Sequence, residues 1–380
     1  MKNLLRNISM MAMVVTLAAC GGGDDDNSGG SSGGGGGTTP SFPTPSFNTQ
    51  DHNKPIGFGK DITGSNDAGT FVTVTNQSGL IAALEGTDQK TIYVKGTINF
   101  NGLITINGAK NKTIYGLPGA KFLNASGRDT KNLTGILELY NCSNIIIRNI
   151  TFKGAGAYDI NGNDNLHLNY SRNIWIDHCH FLDGVDGNLD CTSGSDNICV
   201  TWCRFGYDID PKAGGETDDH RFSNLWGNGD TESAKDAGKL QTTFANCWWD
   251  EGCVRRMPRV RFGKVHILNC LYSSNTAHDF VGGGYRSNIY IEKCAFTNTE
   301  ANAWLSYTSS EYPDYNYQIT SCVGASDVIG AKGTYTQFVP TYSYDSYYAS
   351  QVESTLKSSN GAGATRTNHE KEKFTTAYMR

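Results

Sequence analysis

Between residues 144 and 322 apolar and polar positions alternate in short runs that return at a near-constant interval. The runs read NIIIRNITF, ending at Phe152, then NIWIDHCHF at Phe181 and NICVTWCRF at Phe205. LQTTFANCWW follows at Trp249, KVHILNCLY at Tyr272 and NIYIEKCAF at Phe296, with a weaker copy, NYQITSCVG, around Cys322. The aromatic ends lie 29, 24, 44, 23 and 24 residues apart, so one unit is about 23 residues, once lengthened by a loop and once by an insertion. Strict alternation predicts half-buried strands, and a fixed period of this size marks a stacked repeat. No unit can bury its own inner face, so stacking must build the core. The fold class predicted is all-β, a parallel β-helix; a β-sandwich would repeat at 8–12 residues and has no reason to repeat Cys-x-aromatic.

The cysteines follow the same period. Cys179, Cys203, Cys247, Cys270, Cys294 and Cys322 occupy one equivalent position, which Ile150 holds in the first copy. Strands of successive coils lie ~4.8 Å apart, so these residues form a ladder. They read as small buried residues, mainly reduced. Cys142, Cys191, Cys199 and Cys253 stand outside it, and a bond among those four is open in an exported protein. Ser78–Leu84 (SGLIAAL) is expected as a short helix capping the N-terminal end of the stack. Residues 327–380, with a short helix at QVESTLKSS, are expected as a tail outside it. Residues 206–239 form a Gly/Asp-rich excursion of a length that is usually functional.

The N-terminus has a different composition. Lys2 and Arg6 precede an apolar stretch, Ile8 to Ala19, and Leu17-Ala18-Ala19-Cys20 ends it. This reads as a secretory signal over 1–19. The cysteine directly after it resembles a bacterial lipobox, which implies lipidation at Cys20. Residues 20–46 read as a flexible Gly/Asp/Ser/Pro tether, with ten glycines between positions 21 and 37. Residues 47–380 are left as a single domain. The expected location is a lipid anchorage on the outer membrane or surface of a Gram-negative bacterium, or secretion or the periplasm if the lipobox is not used.

Residues 1–46 hold two basic and three acidic residues, leaving 30 against 34 and a net charge of −4. That balance excludes general nucleic-acid binding. An anionic ligand must be held by a local cationic site. One exists: Arg255-Arg256-Met257-Pro258-Arg259-Val260-Arg261-Phe262-Gly263-Lys264 has five positive charges and no acid. Arg259 and Arg261 share a strand face by parity, and rigid guanidinium forks suit carboxylates. A solvated basic loop is the plainer reading. Asp186 and Asp190 flank Gly187-Asn188-Leu189, and Asp164 lies one coil earlier. Oxygen ligands of this kind bind hard cations such as Ca²⁺, although paired aspartates are more often turn residues.

WIDH at 175–178, DGNLD at 186–190 and RMPRVRFGKVHILN at 256–269, in this order on a β-helix repeat, resemble the pectate lyase superfamily, polysaccharide lyase family 1. Ile56-Gly57-Phe58-Gly59, the run from Gly69 and Val94-Lys95-Gly96-Thr97-Ile98 are also similar to its N-terminal part, so the likeness covers 55 to about 325. The resemblance implies a right-handed helix, β-elimination on polygalacturonate and calcium as cofactor. Asp164, Asp186 and Asp190 would bind Ca²⁺, Arg256 would be the base, and Arg261 and Arg259 would bind substrate. Asp177 and His178 read as a structural hydrogen-bonding pair under the groove. Phe222 stands where the family commonly carries a substrate-binding lysine, with Arg221 or Lys212 as substitutes. Pectin or polygalacturonate oligosaccharides are the implied partners, and a monomer is expected, touching a membrane only through its lipid. The rivals are a metal-free pectin lyase on methylated pectin, a hydrolase, which needs two placed carboxylates, and a non-catalytic glycan-binding β-helix.

Overall fold

The computed structural model describes residues 54–66, 69–333 and 336–367. The signal, tether and Cys20 assignments lie outside them.

Three sheets wind together. One has eleven strands and two have eight, and strands of successive coils pair in parallel throughout, apart from one terminal pair. One coil shows the path: Leu166–Asn169 in the first eight-stranded sheet, Arg172–Asp177 in the eleven-stranded sheet, His180–Leu182 in the other. The next coil repeats it in register, pairing Leu166 with Leu189, Ile174 with Ile198 and Phe181 with Phe205. The first eight-stranded sheet carries the candidate site and is called the groove sheet below. The fold is the right-handed parallel β-helix expected.

The Cys-x-aromatic signature has a local cause. The residue before each ladder cysteine turns the chain between two sheets in a left-handed conformation, with φ of 47° at His178, 56° at Asn246 and 49° at Asn269. Asparagine tolerates this better than most residues, which explains its recurrence there. The following thiol points inward and donates to the carbonyl two residues back, at 3.4 Å for Cys203 and 3.3 Å for Cys270 and Cys294. Further down the stack it also accepts a neighbour's amide: Cys247 N–H donates to the Cys270 sulfur at 3.4 Å. The ladder therefore serves corner backbone groups as well as filling space. Its thiols are free, as are Cys142, Cys191, Cys199 and Cys253. The aromatic ends stack inside, with ring centroids 4.8 Å apart for Phe152–Phe181 and Trp249–Tyr272 and 4.6 Å for Tyr272–Phe296.

The helix Gln77–Leu84 buries Leu80 and Leu84 at the N-terminal end, and the Asn76 side chain caps it by accepting from the Gly79 amide. The C-terminal end differs from the expectation of a tail from 327. Val328–Lys332 pairs antiparallel with Tyr315–Thr320 and so belongs to the eleven-stranded sheet. The tail proper crosses the outside of that sheet, and its helix Val352–Leu356 buries Val352 and Leu356 against Trp248 and Leu271. The excursion at 206–239 is not one loop either: Leu225–Trp226 inside it supplies the groove-sheet strand of its coil.

Candidate active site

One outward-facing row crosses the groove sheet in register: Glu138, His167, Asp190, Leu225, Arg259 and Gly282. Acids lie toward one end of the row and Arg259 toward the other, while the alternating inward residues, such as Leu166, Leu189 and Val260, are fully buried.

Asp164 precedes one strand of this sheet and Asp190 lies within the next. A Cβ built on Gly187 would lie 2.8 Å from Asp164 Oδ1 and 2.9 Å from Asp190 Oδ1, so the glycine leaves a cradle between two carboxylates. Asp190 accepts the Leu225 amide at 2.9 Å, whereas the buried Asp164 Oδ1 has no hydrogen-bond partner. Burial, then the charges of Asp190 and Asp186, push Asp164 well above the usual carboxylate range. Burial and then Asp186 push Asp190 up to about 7. Two buried carboxylates held at a cost, one with an orphaned oxygen, fit a hard cation with oxygen ligands. Asp186 is placed differently: its Oδ1 accepts from His220 Nε2 at 2.8 Å, and the other ring nitrogen of His220 is 3.1 Å from Asp159. Among the described residues no three acidic, His or Cys side chains are already closed around one point.

The arginine run sits on a bulge. Phe222 pairs with Arg255 and Leu225 with Arg259, so three steps on one strand face four on the other. Arg256 lies in this extra step at φ 59°, a conformation that costs a non-glycine residue about 1–2 kcal/mol. Its guanidinium lies over the Phe222 ring, 4.7 Å from the centroid. Its charge acts on both Asp164 and Asp190. Arg259 lies over Tyr307 at 4.4 Å, and burial followed by Arg261 and Arg256 lowers it to about 10. The remaining arginines are tied to acids. Arg255 Nε is 3.3 Å from Asp279, and Arg261 Nε donates to Asp230 at 2.7 Å. Arg221 grips Asp219 through two nitrogens, and Lys212 pairs with Asp129. Both are thus ion-paired, as Arg255 and Arg261 are.

Asp177 and His178 do form a pair, Nδ1 to Oδ2 at 2.8 Å, with Arg148 Nε donating to the same oxygen at 2.8 Å. Their place corrects the expectation. They end a strand of the eleven-stranded sheet, at the corner toward the third sheet, and are not under the groove. Sequence reasoning also passed over His220, Tyr307 and Asp279. Their contacts cross coils, and the one available signal was the position of His220 two residues before Phe222.

The site is thus a pair of buried carboxylates set, on one sheet of a stacked β-helix, near two arginines, Arg256 and Arg259, that form no ion pair among the described residues. The family model described as pectate lyase matches residues 1–365. A probable pectate lyase B of Aspergillus terreus is 30% identical over 318 residues, covering 81% of this chain and 88% of that protein. A pectate trisaccharide-lyase of Thermotoga maritima is 31% identical over 237 residues, 58% of each. Among solved structures, a pectate lyase bound to hexasaccharide superposes with a TM-score of 0.61 at 22% identity, covering 83% of this chain and 98% of that one. The cedar pollen allergen Jun a 1 does so at 0.60 and 19%, covering 79% and 90%. The chain belongs to the pectate lyase family and is a polysaccharide lyase.

Proposed function

We propose that this protein cleaves polygalacturonate by calcium-assisted β-elimination, with Arg256 as the base. The observation that carries the reading is Arg256 itself. It has no ion pair among the described residues, yet lies close enough to Asp164 and Asp190 for its charge to act on both. Asp164 and Asp190, with Asp186 once it leaves His220, would hold Ca²⁺. The ion, when bound, supplies Lewis-acid stabilisation of charge on the uronate carboxylate. Arg259, with Arg261 once it leaves Asp230, binds and orients uronate groups and opposes negative charge as it develops. Having first given a proton to solvent, Arg256 acts as the neutral guanidine, takes the C5 proton and returns to guanidinium. The C5–H electron pair then forms the C4–C5 double bond, the C4–O4 bond breaks, and the departing oxygen is protonated from solvent. An arginine tied to a carboxylate could not serve, since its partner would hold the proton in place.

The test is incubation of the purified protein with polygalacturonate and with methylated pectin, with and without EDTA, following ultraviolet absorbance of the unsaturated product. EDTA-sensitive absorbance on polygalacturonate is expected. EDTA-resistant absorbance preferring the ester would mean a pectin lyase, reducing ends without absorbance a hydrolase, and no product a binding module. The same reading takes the enzyme as a monomer, carried on the cell surface by a lipid on Cys20. Metabolic labelling with a fatty acid, compared with Cys20→Ala, tests the anchor.

A further inference from the structure

We infer that Phe222, braced by His220, is the positioning residue that aims the Arg256 guanidinium. The inference rests on Arg256 being the base. The bulge gives the reason a device is needed. At φ 59° Arg256 leaves the alternation of its strand, so the sheet does not dictate where its side chain points. No ion pair or side-chain hydrogen bond holds it among the described residues, unlike Arg255, Arg261 and Arg221; its side-chain partner is the Phe222 ring at 4.7 Å.

That ring is itself fixed. The Phe222 amide donates to the His220 carbonyl at 2.7 Å, and its carbonyl accepts from the Tyr207 hydroxyl at 2.9 Å. The His220 imidazole packs on it with centroids 4.3 Å apart. His220 is buried and held by Asp159 at 3.1 Å, the contact that stays when Asp186, 2.8 Å from its other nitrogen, turns to the cation. A continuous line of contacts therefore runs from Asp159 through His220 and Phe222 to Arg256. The chemistry explains why the last link is a ring. A carboxylate would orient the guanidinium equally well, but would occupy its N–H edge and hold its proton. A π face orients the guanidinium plane and leaves its N–H edge open to solvent and substrate, so that a nitrogen that has given a proton to solvent can then accept the C5 proton. Arg259, over Tyr307, is held in the same way.

The experiment compares Phe222→Leu and Phe222→Tyr with wild type on polygalacturonate, with calcium-induced thermal shift as the check on folding and on the acidic cradle. Losing the aim of a reacting group costs up to ~100-fold. The expected result for Phe222→Leu is a kcat about 10–100-fold lower, with KM within about twofold and the calcium shift kept, since the loss falls on the transition state. Phe222→Tyr restores the face and should recover most of kcat. Should the leucine variant not fold, Phe222→Met is read in its place. Wild-type kcat in the aliphatic variant, a loss confined to KM, or a tyrosine variant as poor as leucine overturns the inference. Arg256→Lys run beside them separates the two readings. If it turns over, the base assignment fails. If it is inactive while Phe222→Leu matches wild type, only the positioning role fails.

Discussion

Asp164 and Asp190, 26 positions apart in sequence, direct their Oδ1 atoms at one point, the place a side chain on Gly187 would begin. Gly187 has no positive φ to require a glycine, so the constraint is space. Gly187→Ala should put its methyl group between the carboxylates and cost at least ~10-fold in calcium affinity, because oxygen ligands must close around the ion. Calcium titration followed by thermal shift checks it. Unchanged affinity would mean the cation sits elsewhere.

Asp190→Asn should abolish the calcium shift and also stabilise the metal-free protein at pH 8. The sign follows from the raised pKa of about 7. The folded state favours the protonated acid, so metal-free stability declines as pH rises from the unfolded value toward 7. Asparagine keeps an oxygen for the Leu225 amide and removes that decline. The gain should be a few °C in the melting temperature, vanishing near pH 4. A lower melting temperature at pH 8 would sink the account.

Arg256→Lys should lower kcat by about 10³-fold or more, the scale of lost proton transfer. The calcium shift and the circular dichroism should remain, since among the described residues no acid forms an ion pair with Arg256. Retained turnover would remove it from the base role. Wild-type KM beside lost kcat would mark an interaction made only in the transition state.

Thiol counting addresses the ladder. Denatured without reductant, the protein should titrate all ten cysteines of residues 142–322 as free. Burial raises Cys199 to about 12 and Cys142 to about 11, so the folded protein should react at few or none of them. Blocking of the six ladder thiols in the denatured sample would overturn the reduced stack.

The coil was legible because its second and third strands meet at a two-residue corner, where sequence and geometry coincide: Asn or a substitute, then Cys, then an aromatic two positions after the cysteine. The groove sheet was less so. Its strands shrink to Leu225–Trp226 and Arg259–Val260, too short to show alternation. For the same reason the excursion hid a strand. Asp164, Asp190 and the arginine run were found by spacing and resemblance. That Asp186 turns to His220, that Arg221 is spent on Asp219, and that Phe222 serves as the partner of Arg256 depend on loops folding back over other coils. Local pattern carries no trace of such contacts. Placing Asp177–His178 under the groove failed through assigning the strand to the wrong sheet, since all three sheets share the same period.

The tail supplies the last prediction, a stability that falls with acid. His266 points outward from the eleven-stranded sheet but is fully buried beneath residues 336–358. Its Nε2 is 2.9 Å from Glu292, its Nδ1 is 2.8 Å from the Tyr342 hydroxyl, and the Tyr344 hydroxyl donates to Glu292 as well. Burial lowers His266 below its ordinary 6.5, with Glu292 opposing only in part. Burial alone would raise Glu292, but hydrogen bonds from His266 and Tyr344 bring it below 4.5. Both folded-state values are depressed. Their contributions are therefore complete above the unfolded values and are lost as pH falls, first through the histidine range below 6.5 and then through the carboxylate range below 4.5. Read as the difference between the protein and its His266→Gln variant, so that the opposite trend of Asp164 and Asp190 cancels, the melting-temperature advantage should drop between pH 7.5 and 5.5. His266→Gln, which keeps a polar group under the strap but cannot titrate, should flatten that part of the curve. It should leave kcat at pH 8 near wild type, because His266 faces away from the groove. An equally steep decline in the variant would place the acid-sensitive contact outside the strap.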